Sequence, residues 1–405
     1  MINKRSLRSK EYIITPNTGF FSVFTLKFLG LKKYMKIGID ASRYGHEQST
    51  GVEWYSFNII NSLLDLAEKE NDEIFLYSKE KLPIANKNFI HNVVIKSKRL
   101  WTLFWLSLEM MKKKVDVLFV PSHVLPLIRP KLSVITIHDV AFRYLKNAYS
   151  SFQYNYLNWS TKYAVRHASK IIVPSNATKN DLIHFFKCLE EKIIVIPHGF
   201  SPSKISYEVI EKQFSESDFF KNFRINKEMK FILFVGRLES KKNLERLVQA
   251  FNKFLEQNGD FYLILAGKRG VGFDKILNIV KHLGIDDRVI MPGYVTEEEK
   301  ATLMKYCTVF AFPSLYEGFG FPILEAFSYR KPVLTSRVSC LPEVGGDACH
   351  YIDPYDVQII ADGLDKLVND KKYTDELSEK GSARLSLFSW KDCAKKTLDV
   401  LKGNV

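Results

Sequence analysis

An α/β fold of two similar domains, facing each other across a cleft, is what the sequence predicts. Three observations carry that reading. Short apolar runs of strand length alternate with amphipathic stretches of helical period along most of the chain. The unit strand, loop, glycine, helix opens the first half at Lys36–Ala41 and Gly51, and a similar strand, glycine turn and helix opens the second at Lys230–Val235 and Gly236. The polar and charged residues gather just beyond the apolar runs, at the carboxyl ends of strands, where open α/β sheets bind ligands.

The chain has 405 residues, enough for two or three domains of roughly 150 residues each. Apolar residues make up 46%, so large cores can form. The net charge of +14 favours anionic partners: nucleotide phosphates, an anionic membrane face or nucleic acid. No zinc-ligand spacing and no nucleic-acid-binding module is present, which counts against nucleic acid. The five cysteines are scattered, odd in number and form no C-x-x-C, a pattern of reduced thiols in a cytoplasmic protein. No apolar run is long enough to cross a membrane as a helix. Residues 1–34 are strongly basic and precede the buried strand that follows Met35, so they read as a poorly ordered extension that could touch a membrane, or as an upstream start not used in the cell.

The first strand, Lys36–Ala41, ends in Asp40, and a polar loop leads to Gly51. Gly51 either lets a phosphate approach backbone amides closely or simply starts the helix that follows. The loop is not G-x-G-x-x-G, so a nicotinamide cofactor gets little support. Ile74–Tyr77 and Asn92–Ile95 are further strands. Trp101–Leu108 carries three aromatics between Lys96, Lys98, Arg99 on one side and Lys112–Lys114 on the other. That composition fits a helix lying on a membrane surface, or a core helix with basic ends. Val115–Val120 and Ser133–Ile137 are strands, the latter stopping at His138-Asp139. Strand Lys170–Pro174 precedes a helix capped by Ser175, and strand Ile193–Ile196 ends at Pro197-His198-Gly199. Periodicity then fades to Lys227, where the linker is expected.

The second half opens with Lys230–Val235. Arg237 stands on the turn after it and Lys242 at the next helix start, two cations aimed at free amides, which together suit a diphosphate. Thr296 and Glu299 form a capping box. Val309–Phe312 then leads into a turn with Glu317, Gly318, Phe319 and Gly320, and Pro322 opens a helix that holds Glu325. Glu325, flanked by apolar neighbours, either accepts from a ribose diol or complements the helix dipole. Glu317 either reaches a sugar or is a solvated turn residue.

Glu317 through Glu325 resembles the E-x7-E signature of retaining glycosyltransferases of family 4, which have the GT-B fold. His138-Asp139, the run VPSNATKNDL with VIPHGF, and Gly236-Arg237 with Asn243 resemble the same family, over residues of about 36–400. The resemblance implies two Rossmann-like α/β domains and a C-terminal helix crossing back to the first. The expected division is 1–34 extension, 35–200 acceptor-side domain, 201–227 linker, 228–384 nucleotide-sugar domain and 385–405 returning helix. It also implies transfer of a hexose from a nucleoside-diphosphate sugar to a glycan or lipid-linked acceptor, with retention and without metal or other cofactor. Arg237 and Lys242 would hold the diphosphate, Glu325 the ribose, and Glu317 with Gly318, Phe319 and Gly320 the sugar and phosphate. His138 would lie near the reacting sugar carbon or the sugar's O6, with Gly51 and Asp139 lining the donor site. The stretch GIDAS…TGVEWY…HD looks most like the family's mannosyltransferases. The implied place of action is the cytoplasm, with peripheral contact at the membrane. Two other functions fit parts of the pattern: a retaining glycosidase using Glu317 and Glu325, and a non-catalytic nucleotide-sugar-binding protein.

Overall fold

The computed structural model describes residues 34–45, 51–85, 87–97, 100–112 and 115–404. The basic extension up to residue 33, and Lys98, Arg99, Lys113 and Lys114 of the basic runs, lie outside the described residues.

Two parallel sheets form the frame. The first contains β1 (Lys36–Asp40), β2 (Glu73–Ser78), β3 (Ile90–Val94), β4 (Val117–Val120), β5 (Leu132–Thr136), β6 (Lys170–Val173) and β7 (Ile193–Val195), in the order β3-β2-β1-β4-β5-β6-β7. The second contains β8 (Lys230–Val235), β9 (Phe261–Ala266), β10 (Val289–Gly293), β11 (Val309–Phe312), β12 (Val333–Ser336) and β13 (His350–Ile352), in the order β10-β9-β8-β11-β12-β13. Each sheet thus starts in its middle, winds outward one way, and then resumes on the other side of its first strand. The reversal falls between β1 and β4 in one sheet and between β8 and β11 in the other, and a doubly wound sheet leaves a crevice there. Helices cover both faces, which is why strands such as β4 and β11 are buried at every residue and read as unbroken apolar runs.

In the first domain α1 (Gly51–Glu70) follows β1, α2 (Leu106–Lys112) precedes β4, and α3 (Ser151–His167) and α4 (Asn176–Phe186) flank β6. Trp101–Trp105 is a turn of π-helix leading into α2. Trp101 is buried, its indole N–H donating to the Ile95 carbonyl at 2.9 Å, whereas Phe104, Trp105 and Met111 are exposed. The segment is therefore core on one side and open on the other.

The span 201–227, expected as the linker, is not without structure. It holds two helices, α5 (Tyr207–Glu216) and α6 (Asp218–Asn222), capped by Ser206 and Ser217. Phe220 and Ile225 are buried in the second domain's core, and Phe214 packs on Tyr306. With turns this short, only Ile210 of α5 is fully buried, so no apolar period was there to read.

The second domain continues with α7 (Leu244–Leu255), α8 (Phe273–Leu283), α9 (Glu297–Tyr306), α10 (Phe321–Ser328), α11 (Leu341–Gly345), α12 (Val357–Asn369) and α13 (Lys371–Arg384). The last helix, α14 (Trp390–Leu401), packs against α1, and its Trp390, Leu398, Val400 and Leu401 join the core of the first domain. Each such burial contributes about 1.5–3 kcal/mol. The outgoing and returning chain cross side by side: Phe200 N–H donates to Phe388 O at 3.0 Å, and a Cβ on Gly199 would stand 2.4 Å from the Trp390 backbone.

An ion pair fastens the end of α14. Asp72 is wholly buried, accepts from Met35 N–H at 2.8 Å, and lies 2.7 Å from the Lys402 ammonium. Lys402→Met removes the counter-charge of a buried carboxylate, and should cost about 3 kcal/mol in urea unfolding.

Candidate active site in the interdomain cleft

The two sheet reversals face each other, and the predicted residues sit at their mouths. After β8, Gly236 and Gly267 let two strand ends meet: a Cβ on Gly267 would be 1.8 Å from the Gly236 carbonyl oxygen. Arg237 follows, exposed, its stem lying over Gly270. Among the described residues it has no ion-pair partner. A helical turn, Ser240–Lys242, then points both lysines inward, with Asn243 in the left-handed region at φ 58° to open α7.

Lys242 and Glu317 meet. Their Nζ and Oε1 are 2.5 Å apart, both side chains nearly buried, and the ammonium lies 5.0 Å above the Phe312 ring. Leu315 N–H donates to Lys241 O at 2.9 Å, so the turn after β8 and the turn after β11 are tied through backbone as well. Lys241, which the sequence reading did not single out, lies 3.6 Å from Glu239. Burial pulls its ammonium down, but the charges of Glu317, Asp139 and Glu239 more than offset this and hold it above the ordinary lysine range. The signal for it was only the doubled lysine.

Gly318 and Gly320 have distinct reasons. A Cβ on Gly318 would fall 2.2 Å from the His138 carbonyl oxygen of the other domain. Gly320 has φ 103° and turns the chain into α10, where Pro322 sits in the first turn. Phe319 is buried between His198 and Phe388. Gly51 opens α1, and its nearest cross-cleft neighbour is the Phe321 ring, 4.0 Å from where a Cβ would be. Glu325 is placed apart from the Lys242–Glu317 pair: half-buried, it pairs with Lys300 at 3.2 Å. Burial lowers the Lys300 ammonium, and Glu325 and Glu297 raise it further, to a net rise.

On the other wall Asp139 accepts from Ala141 N–H at 3.0 Å and adds its charge to the Lys241 cluster. His138 is buried with both ring nitrogens engaged: Nε2 lies 3.1 Å from Pro121 O and Nδ1 3.2 Å from His198 Nε2. A carbonyl only accepts, so Nε2 carries the proton of the neutral ring. Nδ1 then accepts from His198 Nε2–H, which leaves His198 Nδ1 a bare acceptor, without a partner among the described residues. Burial pushes His138 down to about 4, and His198 down as well. The Tyr55 ring packs on both. The imidazole of His138 is thus a neutral, doubly anchored wall. Among the described residues no group of three or more His, Cys, Asp and Glu side chains is gathered in the manner of a metal cage.

Comparison with known proteins bears on family and fold. Residues 215–384 match the family model for glycosyl transferases group 1, and residues 69–204 match that for glycosyltransferase family 4. The chain is 28% identical over 275 residues to the O-antigen chain mannosyltransferase B of Escherichia coli, covering 68% of this chain and 71% of that one. It is 33% identical over 167 residues to the serotype-specific mannosyltransferase WbdA of Escherichia coli, which is 40% of this chain but only 20% of WbdA. In fold it is similar to Anabaena Alr3699/HepE, solved in complex with UDP-glucose: the TM-score is 0.66 at 19% identity, covering 91% of this chain and all of that one.

The histidine pair sets an acid limit on stability. The native rings stay neutral, while an unfolded histidine takes a proton near pH 6.5, so stability is full above that value and falls as pH drops towards about 4. For His138 alone the loss approaches about 3 kcal/mol at the lower end. Urea unfolding between pH 7.5 and 4.5 should show it, and His138→Asn should flatten the slope.

Proposed function

The chain belongs to the group 1 glycosyltransferases of the GT-B fold, and on that premise we propose that it moves a hexose from a nucleoside-diphosphate sugar to a hydroxyl of a glycan or lipid-linked acceptor, with retention and without a metal. The observation that carries the reading is the joined pair of turns: Lys242 on Glu317, with Lys241 feeling the charge of the same glutamate and Arg237 exposed on the turn after β8. A departing nucleoside diphosphate gains negative charge as the sugar C1–O bond breaks. Preorganised cations at that place are the largest electrostatic help a protein can supply; Arg237 has no carboxylate partner among the described residues, and Lys242 turns from Glu317 towards the diphosphate.

The roles follow from position. Arg237 and Lys242 take the diphosphate, and Lys242, already extended towards the turn by Glu317, exchanges part of that contact for phosphate oxygens. Glu317 with the amides of Gly318, Phe319 and Gly320 holds sugar hydroxyls and phosphate. Glu325 holds the ribose and shares itself with Lys300. Gly51 and Asp139 line the opposite wall. His138, its ring anchored and neutral, serves as a fixed surface beside the reacting carbon; its one N–H is committed to the Pro121 carbonyl, so it shuttles no proton. The new bond forms on the face the diphosphate leaves, so the acceptor proton has a departing phosphate oxygen close by. Mannose is our choice of sugar, supported by the mannosyltransferase named among the relatives. A hydrolase has no diphosphate to stabilise and would leave Arg237 and Lys242 without a task.

Arg237→Ala should lower kcat roughly 10²-fold in a radiolabelled-sugar transfer assay, and should abolish the rise in melting temperature that GDP-mannose gives the unaltered protein. Near-normal turnover would remove the proposed mechanism.

We place the acceptor at a membrane surface on the cytoplasmic side, because Phe104, Trp105 and Met111 stand outward, 51%, 41% and 55% exposed, in the first domain. Co-sedimentation with anionic liposomes, and loss of it in a Phe104→Ser, Trp105→Ser variant, is the expected result. Equal recovery in the supernatant with and without liposomes would retire the membrane part alone.

A further inference from the structure

Glu343 belongs to the second domain, yet its carboxylate is bonded to the first. Oε2 accepts from Asn176 N–H at 2.8 Å and Oε1 from Ala177 N–H at 2.7 Å, with the Asn176 side-chain amide adding 3.0 Å to Oε2. These are the first two amides of α4. A helix leaves such amides unpaired within itself, and here the capping is divided between domains. Ser175 of the first domain covers Thr178 N–H at 3.2 Å, and Glu343 of the second covers the two before it.

The same helix is gripped again one turn on. Asp181 is buried and accepts from two phenols, Tyr144 of its own domain and Tyr316 of the other, each at 2.5 Å. The two rings stack at 5.0 Å. Between these contacts the Ser175 hydroxyl donates to Gly318 O at 3.2 Å, and Thr178 donates to His138 O at 3.3 Å, the carbonyl against which Gly318 has no room for a side chain.

The second-domain side of this grip is stiff. Arg384 donates from Nε to Val344 O and from Nη2 to Glu343 O, both at 2.6 Å, and fixes the end of α11. Cys340 donates to Glu317 O at 3.2 Å and to Phe319 O at 3.1 Å. The turn 316–320 is thereby held from behind by its own domain and from the front by α4.

We propose that Glu343, Tyr316 and Asp181 are positioning residues that form a latch on α4. When the cleft is shut, the latch seats the turn that carries Glu317 and Gly318 against the His138 carbonyl. When it opens, the α4 amides pass to water and the turn loses its front support. Closure of the domains and the shape of the sugar-side site are then one event. None of these three residues needs to touch donor or acceptor.

The latch is read without any sugar, so its failure is separate from failure of the transfer reading. In Glu343→Ala, hydrogen–deuterium exchange at the Asn176 and Ala177 amides should speed up on the order of tenfold or more. The radius of gyration from small-angle scattering should rise, while the melting temperature stays within a few degrees. Tyr316→Phe should shift scattering in the same direction. Gly318→Ala should reach the same open form with Glu343 intact, since the added methyl blocks closure. Arg237→Ala should leave both readouts as in the unaltered protein. Unchanged exchange at 176–177 and unchanged scattering in Glu343→Ala and Tyr316→Phe would overturn the latch.

Discussion

The contact on which the rest depends is the meeting of two backbones, the Gly318 turn of one domain and the His138 carbonyl of the other. No side chain fits between them. Because each turn sits at the carboxyl end of a strand beside a sheet reversal, that single approach brings two otherwise separate crevices into one cleft. Arg237, Lys241, Lys242, Glu317, His138 and Asp139 hang from one of these two turns or from the turn tied to them through Leu315 and Lys241.

The approach is possible only because the surrounding polar groups are satisfied when it is made. The His138 carbonyl takes a hydroxyl from Thr178, Gly318 takes one from Ser175, and the amides of α4 are completed by a carboxylate from across the cleft. A buried donor or acceptor left bare costs far more than a made bond returns. Some groups nearby stay bare, Ser314 Oγ and Trp390 Nε1 among them, as does one nitrogen of His198, where the neutral state enforced by burial keeps the cost small.

Charge is distributed to a purpose in the same space. The chain carries a net +14, and much of that is solvated surface, where single charges do little. Here the lysines are paired with carboxylates that aim them: Lys242 with Glu317, Lys241 with Glu239, Lys300 with Glu325. Cations whose positions are set before an anionic ligand arrives stabilise it without the cost of reorganisation.

What the sequence determined by itself was the local order. Strand runs of five or six apolar residues, glycines at strand ends and capping serines or threonines are short-range signals, and they were sufficient for two α/β halves and for most of the residues at their mouths. The helices at 207–222 escaped because their buried face is made by two or three residues that only the second domain's core covers. Which carboxylate meets which lysine was settled only in three dimensions: Glu325 finds Lys300 through the packing of α9 against its neighbours, not through any spacing along the chain. The His138–His198 pair and the Glu343 cap join residues 60 and more than 160 positions apart. Such contacts have no period to read, because it is the closing of one domain on the other that makes them neighbours.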